Sequence, residues 1–477
     1  IEIEEWPAQI AQVAMWLMDH QMNLLTGETF GQALVRLPLR KAANIVHGNA
    51  LQLDWNEVIP ARKCNYIFGN PPFIGHQWRT EEQASDMQRI WGHGGRYRRL
   101  DYVSCWYWLA TKYMQANPAI KAALVSTNSI CQGEQVGILW PWLLDQGVII
   151  QFAHRTFQWK NEAAGVAAVH CVIIGFALSG AEHPLIFDYG QNISGDPITI
   201  KAKRINPYLV DAQDVILPSR TQPPEGRPQL IKGSQPTDGG HLVLSDEERD
   251  SLVTRYPFTA SWVRPYLGGR ELINGLTRWV LWLKEVPPND LRKAPPVLER
   301  LDGVRDARGK SPTKSVQDYA SYPALFTQDR QPNCQYIAVP EVSSERRQFI
   351  PVGFLGPDVI ASNQLQIIKS SDTFIFGLLC STMHNSWMRS TAGRMKSDFR
   401  YAPSVYNNFP WPTNASEKQK EAIASAGQGV LDARAQFPGT SLADLYDPLT
   451  MPPALSKAHQ ALDKAVDAAY VPSGGKK

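Results

Sequence analysis

The stretch Tyr66-Ile67-Phe68-Gly69-Asn70-Pro71-Pro72-Phe73 decides the fold assignment. Its first four residues are mostly apolar and β-favouring, so they predict a strand that ends at Gly69. Proline has a fixed φ and no backbone N–H, so the two prolines stop the strand and impose a rigid turn. The turn therefore presents an amide, free backbone carbonyls and an aromatic ring at the end of a strand.

This turn has the groups needed to act on an exocyclic amino nitrogen. The lone pair of adenine N6 or cytosine N4 is delocalised into the ring, and hydrogen-bond acceptors must draw it towards tetrahedral geometry before it can attack. Asn70 and the Pro71 carbonyl can accept those bonds, Pro72 keeps the turn rigid, and Phe73 offers a face for an extruded base. The tetrad predicts methyl transfer to such a nitrogen, with a structural Pro-Pro turn as the plain alternative.

Around the tetrad, short β-rich runs alternate with helical patterns over the first 180 residues. This alternation is typical of a parallel sheet with crossover helices. We predict strands at residues 1–3, 44–47, 64–68, 122–126 and 148–153, with helices after Pro7 and at about 80–90, 101–115 and 135–145. Residues 167–178 and 184–189 predict an antiparallel hairpin at the sheet edge. The ends of the first three strands are expected on one edge, where open α/β sheets bind ligands.

The sequence changes character twice further along. Prolines and glycines punctuate short patterns from about 205 to 345, which predicts a separate irregular α+β domain. Residues 413–470 are rich in Ala, Lys and Glu with helical spacing. We therefore expect an α/β domain at 1–190, an α+β domain at 191–412 and a helical segment at 413–477.

Composition excludes some classes of protein. The 477 residues carry 48 basic and 45 acidic side chains, a net charge of +3, so any nucleic-acid contact must come from local patches. The apolar stretches are too short to span a bilayer, and the acidic N-terminus is unlike a secretory signal. The cysteines lack the spacing of a zinc site and are expected as free thiols in a reducing cytoplasm. They are Cys64, Cys105, Cys131, Cys171, Cys334 and Cys380.

Over nearly its whole length the chain resembles the gamma-class N6-adenine DNA methyltransferases. It is most similar to the methyltransferase and target-recognition regions of single-chain Type IIG/IIL restriction–modification enzymes. The resemblance implies a Rossmann-like class I methyltransferase domain, then an α+β target-recognition domain and a helical C-terminal segment. It also implies S-adenosylmethionine as methyl donor, double-stranded DNA as substrate, no metal, and a bacterial or archaeal cytoplasm. Asn70, Pro71, Pro72 and Phe73 are then the catalytic residues.

The same resemblance assigns cofactor contacts to two further places. Glu2, or failing it Glu4, matches the acid that holds the ribose hydroxyls. Asn49 and Ala50, in Gly48-Asn49-Ala50-Leu51, stand where the family contacts the cofactor adenine, usually through an acidic residue, and Asn70 also borders the cofactor. The family's Gly-rich loop after its first strand has no counterpart, so we expect the first strand to be missing, and with it any nuclease domain of the full-length parent protein.

Base stacking and DNA contact are also predicted by resemblance. Phe157, in the run 157–162, corresponds to a second ring that cups the flipped base, alongside Phe73; its alternative is a core position in an edge strand. The stretch 393–412 resembles the end of the family's recognition domain, and by the same likeness 340–347 and 394–401 are favoured for recognition. Their basic and aromatic side chains suit phosphate and base-edge contacts. The predicted DNA contacts are Arg346, Arg347, Arg394, Lys396, Arg400 and Tyr401.

Other interpretations stay open from the residues alone. A fragment that binds DNA without catalysis is one, and a protein glutamine N-methyltransferase, which shares the Asn-Pro-Pro-aromatic turn, is another. The more than 200 residues after Tyr189 argue against the second, since those enzymes lack a large recognition domain. Glu2 and Glu4 are alternatively solvated acids, Asn49 a tight-turn residue, and Asp101 an acid that opens a helix.

Overall fold

The structure is a computed structural model that describes residues 1–31, 43–92, 95, 97–159, 169–190, 193–218, 220–224, 226–395 and 398–471. The chain divides into two compact units. The first comprises Ile1–Cys131 and Gln135–Leu217, and the second comprises Gln132–Glu134 and Pro218–Lys477. No helix among the described residues is both long and apolar enough to cross a membrane.

The first unit contains helices and a six-stranded sheet. Its helices are α1 (Glu5–Phe30), α2 (Trp55–Val58), α3 (Glu81–Trp91), α4 (Ser104–Met114) and α5 (Val136–Asp145). Its strands are β1 (Tyr66–Gly69), β2 (Lys121–Thr127), β3 (Ile149–Trp159), β4 (Val169–Ala177), β5 (Leu185–Asp188) and β6 (Ile198–Lys201). The predicted Rossmann-like alternation of strands and helices is confirmed.

The sheet order is β1-β2-β4-β3-β5-β6. β1 runs parallel to β2 with Gly69 opposite Leu124, and β4 runs antiparallel between β2 and β3. Cys171 of β4 faces Thr127 on one side and Phe157 on the other, so β2 and β3 point the same way. The carboxyl ends of β1, β2 and β3 therefore share one edge of the sheet.

Two predictions about this sheet are wrong. The runs 167–178 and 184–189 form no hairpin: β4 has both edges occupied, and β5 pairs with β3 in parallel and with β6 antiparallel. The predicted strands 1–3 and 44–47 contribute only one parallel bridge, Glu2 to His47, among the described residues. β propensity predicts extended backbone correctly, but pairing partners depend on contacts distant in sequence.

The core of the first unit lies between the sheet and its helices. Tyr107 of α4 is 1% exposed, stacks on Phe176 of β4 at 5.3 Å, and its hydroxyl is 2.8 Å from the Ser126 hydroxyl of β2. Trp140 of α5 is fully buried, and its indole N–H donates to the Ile130 carbonyl at 2.8 Å. The polar tip of each large ring is satisfied, as burial requires.

The second unit holds eleven short strands and eleven helices within the described part of the chain. Its strands are β7 (Leu230–Lys232), β8 (Val243–Leu244), β9 (Val263–Leu267), β10 (Trp279–Leu281), β11 (Tyr336–Pro340), β12 (Val342–Ser343), β13 (Gly353–Leu355), β14 (Ile360–Ala361), β15 (Leu365–Ile368), β16 (Gly393–Met395) and β17 (Asp398–Arg400). Its helices are α6 (Asp246–Arg255), α7 (Gly269–Asn274), α8 (Pro288–Leu291), α9 (Pro295–Gly309), α10 (Lys314–Asp318), α11 (Thr373–Cys380), α12 (Thr382–Thr391), α13 (Pro403–Asn408), α14 (Glu417–Ala435), α15 (Leu442–Leu445) and α16 (Pro453–Tyr470).

These strands form three small sheets, ordered β14-β9-β10-β8, β13-β11-β15-β7 and β12-β17-β16. The predicted helical C-terminal segment is confirmed as α14 to α16, and its apolar face shares one core with α11 and α12. Gly427 of α14 allows close packing, because a Cβ there would lie 2.9 Å from the Thr373 carbonyl. The C-terminal helices thus belong to the same compact unit as the sheets.

Arg308 of α9 is a fully buried cation that ties loops of the second unit together. Its guanidinium donates only to backbone carbonyls, and burial lowers its pKa. Those carbonyls belong to Pro236, Thr237, Tyr319, Tyr322 and Leu325, at 2.7 to 3.0 Å. A single side chain therefore satisfies backbone acceptors from two separate stretches of chain.

Gly175 is predicted to be required by the β3–β4 pairing. It lies opposite Phe152, and a Cβ on it would come within 2.1 Å of the Phe152 ring. We expect Gly175→Ala to lower the free energy of unfolding by about 1–3 kcal/mol through overpacking, measured by urea denaturation. Adding Phe152→Leu should recover most of the loss, whereas Gly180→Ala, with open space around it, should have no effect.

Replacing Arg308 should destabilise the second unit. Arg308→Met would remove a fully buried cation and leave five backbone carbonyls without this donor, so we expect a loss of about 3 kcal/mol or more. Arg305→Met on the same helix removes an exposed arginine and serves as the matched control. Equal thermal unfolding temperatures for the two variants would contradict a clamping role for Arg308.

Candidate active site

The Asn-Pro-Pro-Phe turn follows β1 directly at the carboxyl edge of the sheet. Asn70 is exposed, and its side-chain amide makes no hydrogen bond to any described residue. Pro71 is buried, Pro72 exposed and Phe73 half-buried. The turn is thus anchored through Pro71, while the amide oxygen of Asn70 stays available to a substrate.

A buried acid lies beneath the segment that follows the turn. Asp101 is 7% exposed and accepts a hydrogen bond from the Thr127 hydroxyl at 3.0 Å, at the end of β2. A Cβ placed on Gly75 would lie 3.8 Å from its Oδ1. Burial raises the pKa of Asp101, against hydrogen bonds from Gln135 and Thr127 that lower it. Asp101 does not open the helix, which begins at Ser104. Its carboxylate is bonded to the end of β2, and the backbone N–H of the next residue, Tyr102, donates to the Ile74 carbonyl of the turn segment.

The segments that carry the predicted cofactor residues Glu2 and Asn49 are paired by backbone hydrogen bonds. Glu2 N–H donates to the Val46 carbonyl at 3.0 Å, and Gly48 N–H donates to the Glu2 carbonyl at 2.8 Å. The Glu2 carboxylate is partly exposed and accepts from the Glu4 N–H at 3.1 Å. Glu4 is exposed at the start of α1. The acid and the loop beginning at Gly48 therefore adjoin.

Asn49 is held at both ends of its amide. Its Oδ1 accepts from the Leu51 N–H at 2.9 Å, and its Nδ2 donates to Asp86 of α3 at 2.9 Å. The neighbouring Ala50 carbonyl accepts from the Trp55 indole at 2.9 Å. The tight turn offered as an alternative for Asn49 is present, and Asp86 fixes its orientation.

Phe157 lies on the same sheet edge as Asn70. By register it is level with Thr127 and three strands from β1, which corresponds to about 14 Å across the sheet. Its ring is 5.4 Å from the Tyr189 ring, and the Tyr189 hydroxyl is 2.8 Å from His154 Nδ1. Phe157 is half-buried in this aromatic cluster, with one side of the ring towards neighbours on β3 and the end of β5.

The two segments predicted for DNA contact meet in one sheet of the second unit. β12, from the 340–347 segment, pairs with β17, which pairs with β16, from the 393–412 segment. Arg394 is bonded to Glu345 at 2.9 Å and lies over the Phe399 ring, and Arg400 is bonded to Glu341 at 3.0 Å. The sequence alone gave no sign that these arginines are paired with acids.

The remaining predicted DNA contacts differ in accessibility. Arg346 is exposed, and Arg347 is half-buried, with its pKa lowered by burial. Tyr401 is 1% exposed, and its hydroxyl is 2.9 Å from His384 Nε2, so its assignment as a DNA contact is wrong. A sequence in which basic and aromatic residues are interleaved does not reveal that this tyrosine ring faces the core. Lys396 lies outside the described residues.

Sequence reasoning missed Asp86 and Tyr102 and undervalued Asp101. Asp86 is an acid that is only 1% exposed. Acids are rarely buried to this extent unless they have hydrogen-bond or ionic partners. The available signal was weak: Asp86 precedes Met87 on the apolar face of α3, where helical spacing places Ile90 as well. Each of the three contacts a loop that borders the predicted site.

Comparisons with known proteins cover nearly the whole chain. The family model of the MmeI DNA-methyltransferase domain matches residues 1–188. The models of the MmeI target recognition domain and the MmeI C-terminal domain match residues 211–413 and 415–476. The first match ends at the last residue of β5, and the second begins within the first compact unit.

A curated relative and a solved structure extend these matches. DNA methyltransferase A of Bacillus subtilis (strain 168) is 38% identical over 474 residues, which are 98% of this chain and 53% of that protein. The structure of the Type IIL restriction–modification enzyme MmeI in complex with DNA is similar with a TM-score of 0.90 at 49% identity, over 99% of this chain and 63% of that one. The chain spans about half the length of the curated relative. Continuous matches to all three domains, in order, show that this chain belongs to the MmeI family.

Proposed function

We propose that the chain methylates adenine N6 in duplex DNA at a specific site, as part of a restriction–modification system in a bacterial or archaeal cytoplasm. The observation that carries the proposal is the exposed, unengaged Asn70 amide at the carboxyl end of β1. The target recognition domain in the same chain supplies the means to choose a DNA site.

Catalysis in this proposal is positioning and polarisation. The target adenine leaves the duplex, at a cost of a few kcal/mol in stacking and pairing. Phe73, with Phe157 across the sheet edge, supplies ring faces for the extruded base. Asn70 Oδ1 and the Pro71 carbonyl accept hydrogen bonds from the two N6 protons, which localises the nitrogen lone pair. Pro72 has no N–H and keeps both acceptors rigid.

The residues of the first unit fit S-adenosylmethionine as cofactor. The Glu2 carboxylate is partly exposed, with one oxygen bonded only to a backbone N–H, so it retains acceptors for ribose hydroxyls. The loop with Asn49 and Ala50 adjoins Glu2 and would border the adenine of the cofactor. Asn70 would border the part of the cofactor that carries the methyl group. When bound, the cofactor supplies an electrophilic methyl group on a sulfonium sulfur.

Duplex DNA is the proposed partner of both units. The similar solved enzyme is described in complex with DNA. In this chain, Arg346, Arg347, Arg394 and Arg400 lie on or beside the sheet formed by β12, β17 and β16, and we propose that this sheet contacts DNA. The similar proteins extend well beyond the matched region, and we propose that the full-length protein likewise has a further domain, a nuclease.

Substituting Asn70 tests the catalytic assignment. We expect Asn70→Ala to lower the rate of N6-methyladenine formation about 100-fold or more, since an acceptor for the amino group is lost. DNA affinity should stay within about twofold, because phosphate contacts lie elsewhere. The assay is nucleoside mass spectrometry of unmethylated DNA incubated with chain and S-adenosylmethionine.

Asn65→Ala is the matched control, because Asn65 is an exposed asparagine just before the opposite end of β1. It should methylate like the parent chain. Equal residual methylation in the Asn70 and Asn65 variants would remove Asn70 from the mechanism. N4-methylcytosine as the product would overturn the choice of adenine while leaving the turn as catalytic.

Arg346 offers the cleanest test of the DNA surface. It is exposed, whereas substituting Arg394 or Arg400 would also release Glu345 or Glu341 from an ion pair. We expect Arg346→Ala to reduce the slope of log K against log salt by about 0.9, the value for one lost phosphate contact. Lys310→Ala, at an exposed position on α9's C-cap, is the control. An unchanged slope would exclude Arg346 from the interface.

A further inference from the structure

One buried carboxylate gathers donors from three segments of the first unit. Asp86 of α3 accepts hydrogen bonds from Asn49 Nδ2 at 2.9 Å, Gln52 Nε2 at 3.1 Å, Arg89 Nη2 at 2.6 Å and the Tyr102 hydroxyl at 2.6 Å. Two of these bonds reach each carboxylate oxygen, which fills the acceptor capacity of an ionised carboxylate. Because Asp86 is 1% exposed, water cannot replace a missing donor easily.

Every residue of the loop 49–52 is held by a hydrogen bond, three of them through Asp86 or Arg89 and Ala50 through Trp55. Asp86 holds the side chains of Asn49 and Gln52. Arg89, itself bonded to Asp86, donates to the Leu51 carbonyl at 3.0 Å, and Trp55 donates to the Ala50 carbonyl. The loop that adjoins Glu2 is therefore held mainly from α3, by one carboxylate and its partner arginine.

Tyr102 connects this loop with the segment after the Asn-Pro-Pro-Phe turn. Its hydroxyl donates to Asp86, and its backbone N–H donates to the Ile74 carbonyl at 2.9 Å. Ile74 follows Phe73 directly. Through Asp86, Tyr102 thus joins the loop of the proposed cofactor site to the residue that follows the catalytic turn.

Asp86 is charged at neutral pH. Burial by itself would raise its pKa, but hydrogen bonds from Tyr102, Asn49 and Gln52, with the charge of Arg89, lower it below the ordinary value. The carboxylate form is the one that can accept four bonds. An asparagine at this position would offer one acceptor oxygen and turn an N–H₂ towards two donors.

We propose that Asp86 is a positioning residue that sets the affinity for S-adenosylmethionine. It does so by holding the loop 49–52 in a fixed position relative to the catalytic turn. The inference rests on the proposed function, since it assigns a role within the same site. Asp86 contacts the loop and not the reacting atoms, so it governs cofactor binding more than the chemical step.

The test compares the parent chain with Asp86→Asn in equilibrium binding of radiolabelled S-adenosylmethionine and in methylation kinetics. We expect the dissociation constant and KM for the cofactor to rise about tenfold or more, since at least two buried donors lose their acceptor. The kcat at saturating cofactor should stay within about threefold, because groups that bind without changing in the transition state affect KM. Backbone amide exchange in residues 46–54 should be faster in the variant without cofactor.

Two further variants separate positioning from loss of fold. Tyr102→Phe removes one of the four bonds and should raise KM less than Asp86→Asn does. Glu82→Gln removes the same charge from an exposed position on the same helix and should leave KM and exchange unchanged. If Asp86→Asn lowers kcat about tenfold or more without changing KM, or leaves the affinity for S-adenosylmethionine unchanged, the inference about Asp86 is overturned. The proposed function would not be affected by either result. Failure of the parent chain to bind cofactor would overturn the proposed function and this inference with it.

Discussion

The parallel pairing of β1 with β2 is the constraint on which the site depends. It places Gly69 opposite Leu124, so the chain leaves the sheet at Asn70, at the edge where β2 and β3 also end. The prolines then prevent the strand from continuing and from donating further ladder bonds. An exposed amide and a rigid carbonyl follow from this geometry. The chemistry proposed for the turn needs no other catalytic group than these acceptors and a ring for the base.

Around this turn, loops that would be mobile alone are fixed by buried acids. Asp101 and the adjacent Tyr102 backbone connect the end of β2, at Thr127, with Ile74 after the turn, and Asp86 joins the loop 49–52 to α3 and Tyr102. A buried carboxylate is costly unless donors surround it, and for that reason it specifies a unique arrangement of those donors. The two acids therefore do for the first unit what Arg308, with its carbonyl partners, does for the second.

One segment of the second unit carries both the arginines proposed to contact DNA and a tyrosine packed in the core. β16 and β17 bring Arg394 and Arg400 to one sheet with β12, while the adjoining Tyr401 turns into the core beside His384. The pKa of His384 is lowered to about 4 by burial, so this contact is a neutral, structural one. The glutamates paired with both arginines hold their guanidinium groups in defined orientations, as the proposed contact with DNA would require.

The sequence by itself determined the class of fold and predicted the chemistry that is proposed for the site. The Asn-Pro-Pro-Phe turn is local, because proline geometry and a strand end are encoded within eight residues, and the alternation of strands and helices is periodic and local too. Only the tertiary structure decided the strand order, the burial of Tyr401, and the hydrogen-bond partners of Asp86, Asp101 and Tyr102. These features depend on partners 16 to 37 residues away or on strands that meet across the sheet. No local pattern in a single sequence encodes such contacts, since an acid on a helix looks the same whether it faces water or four donors.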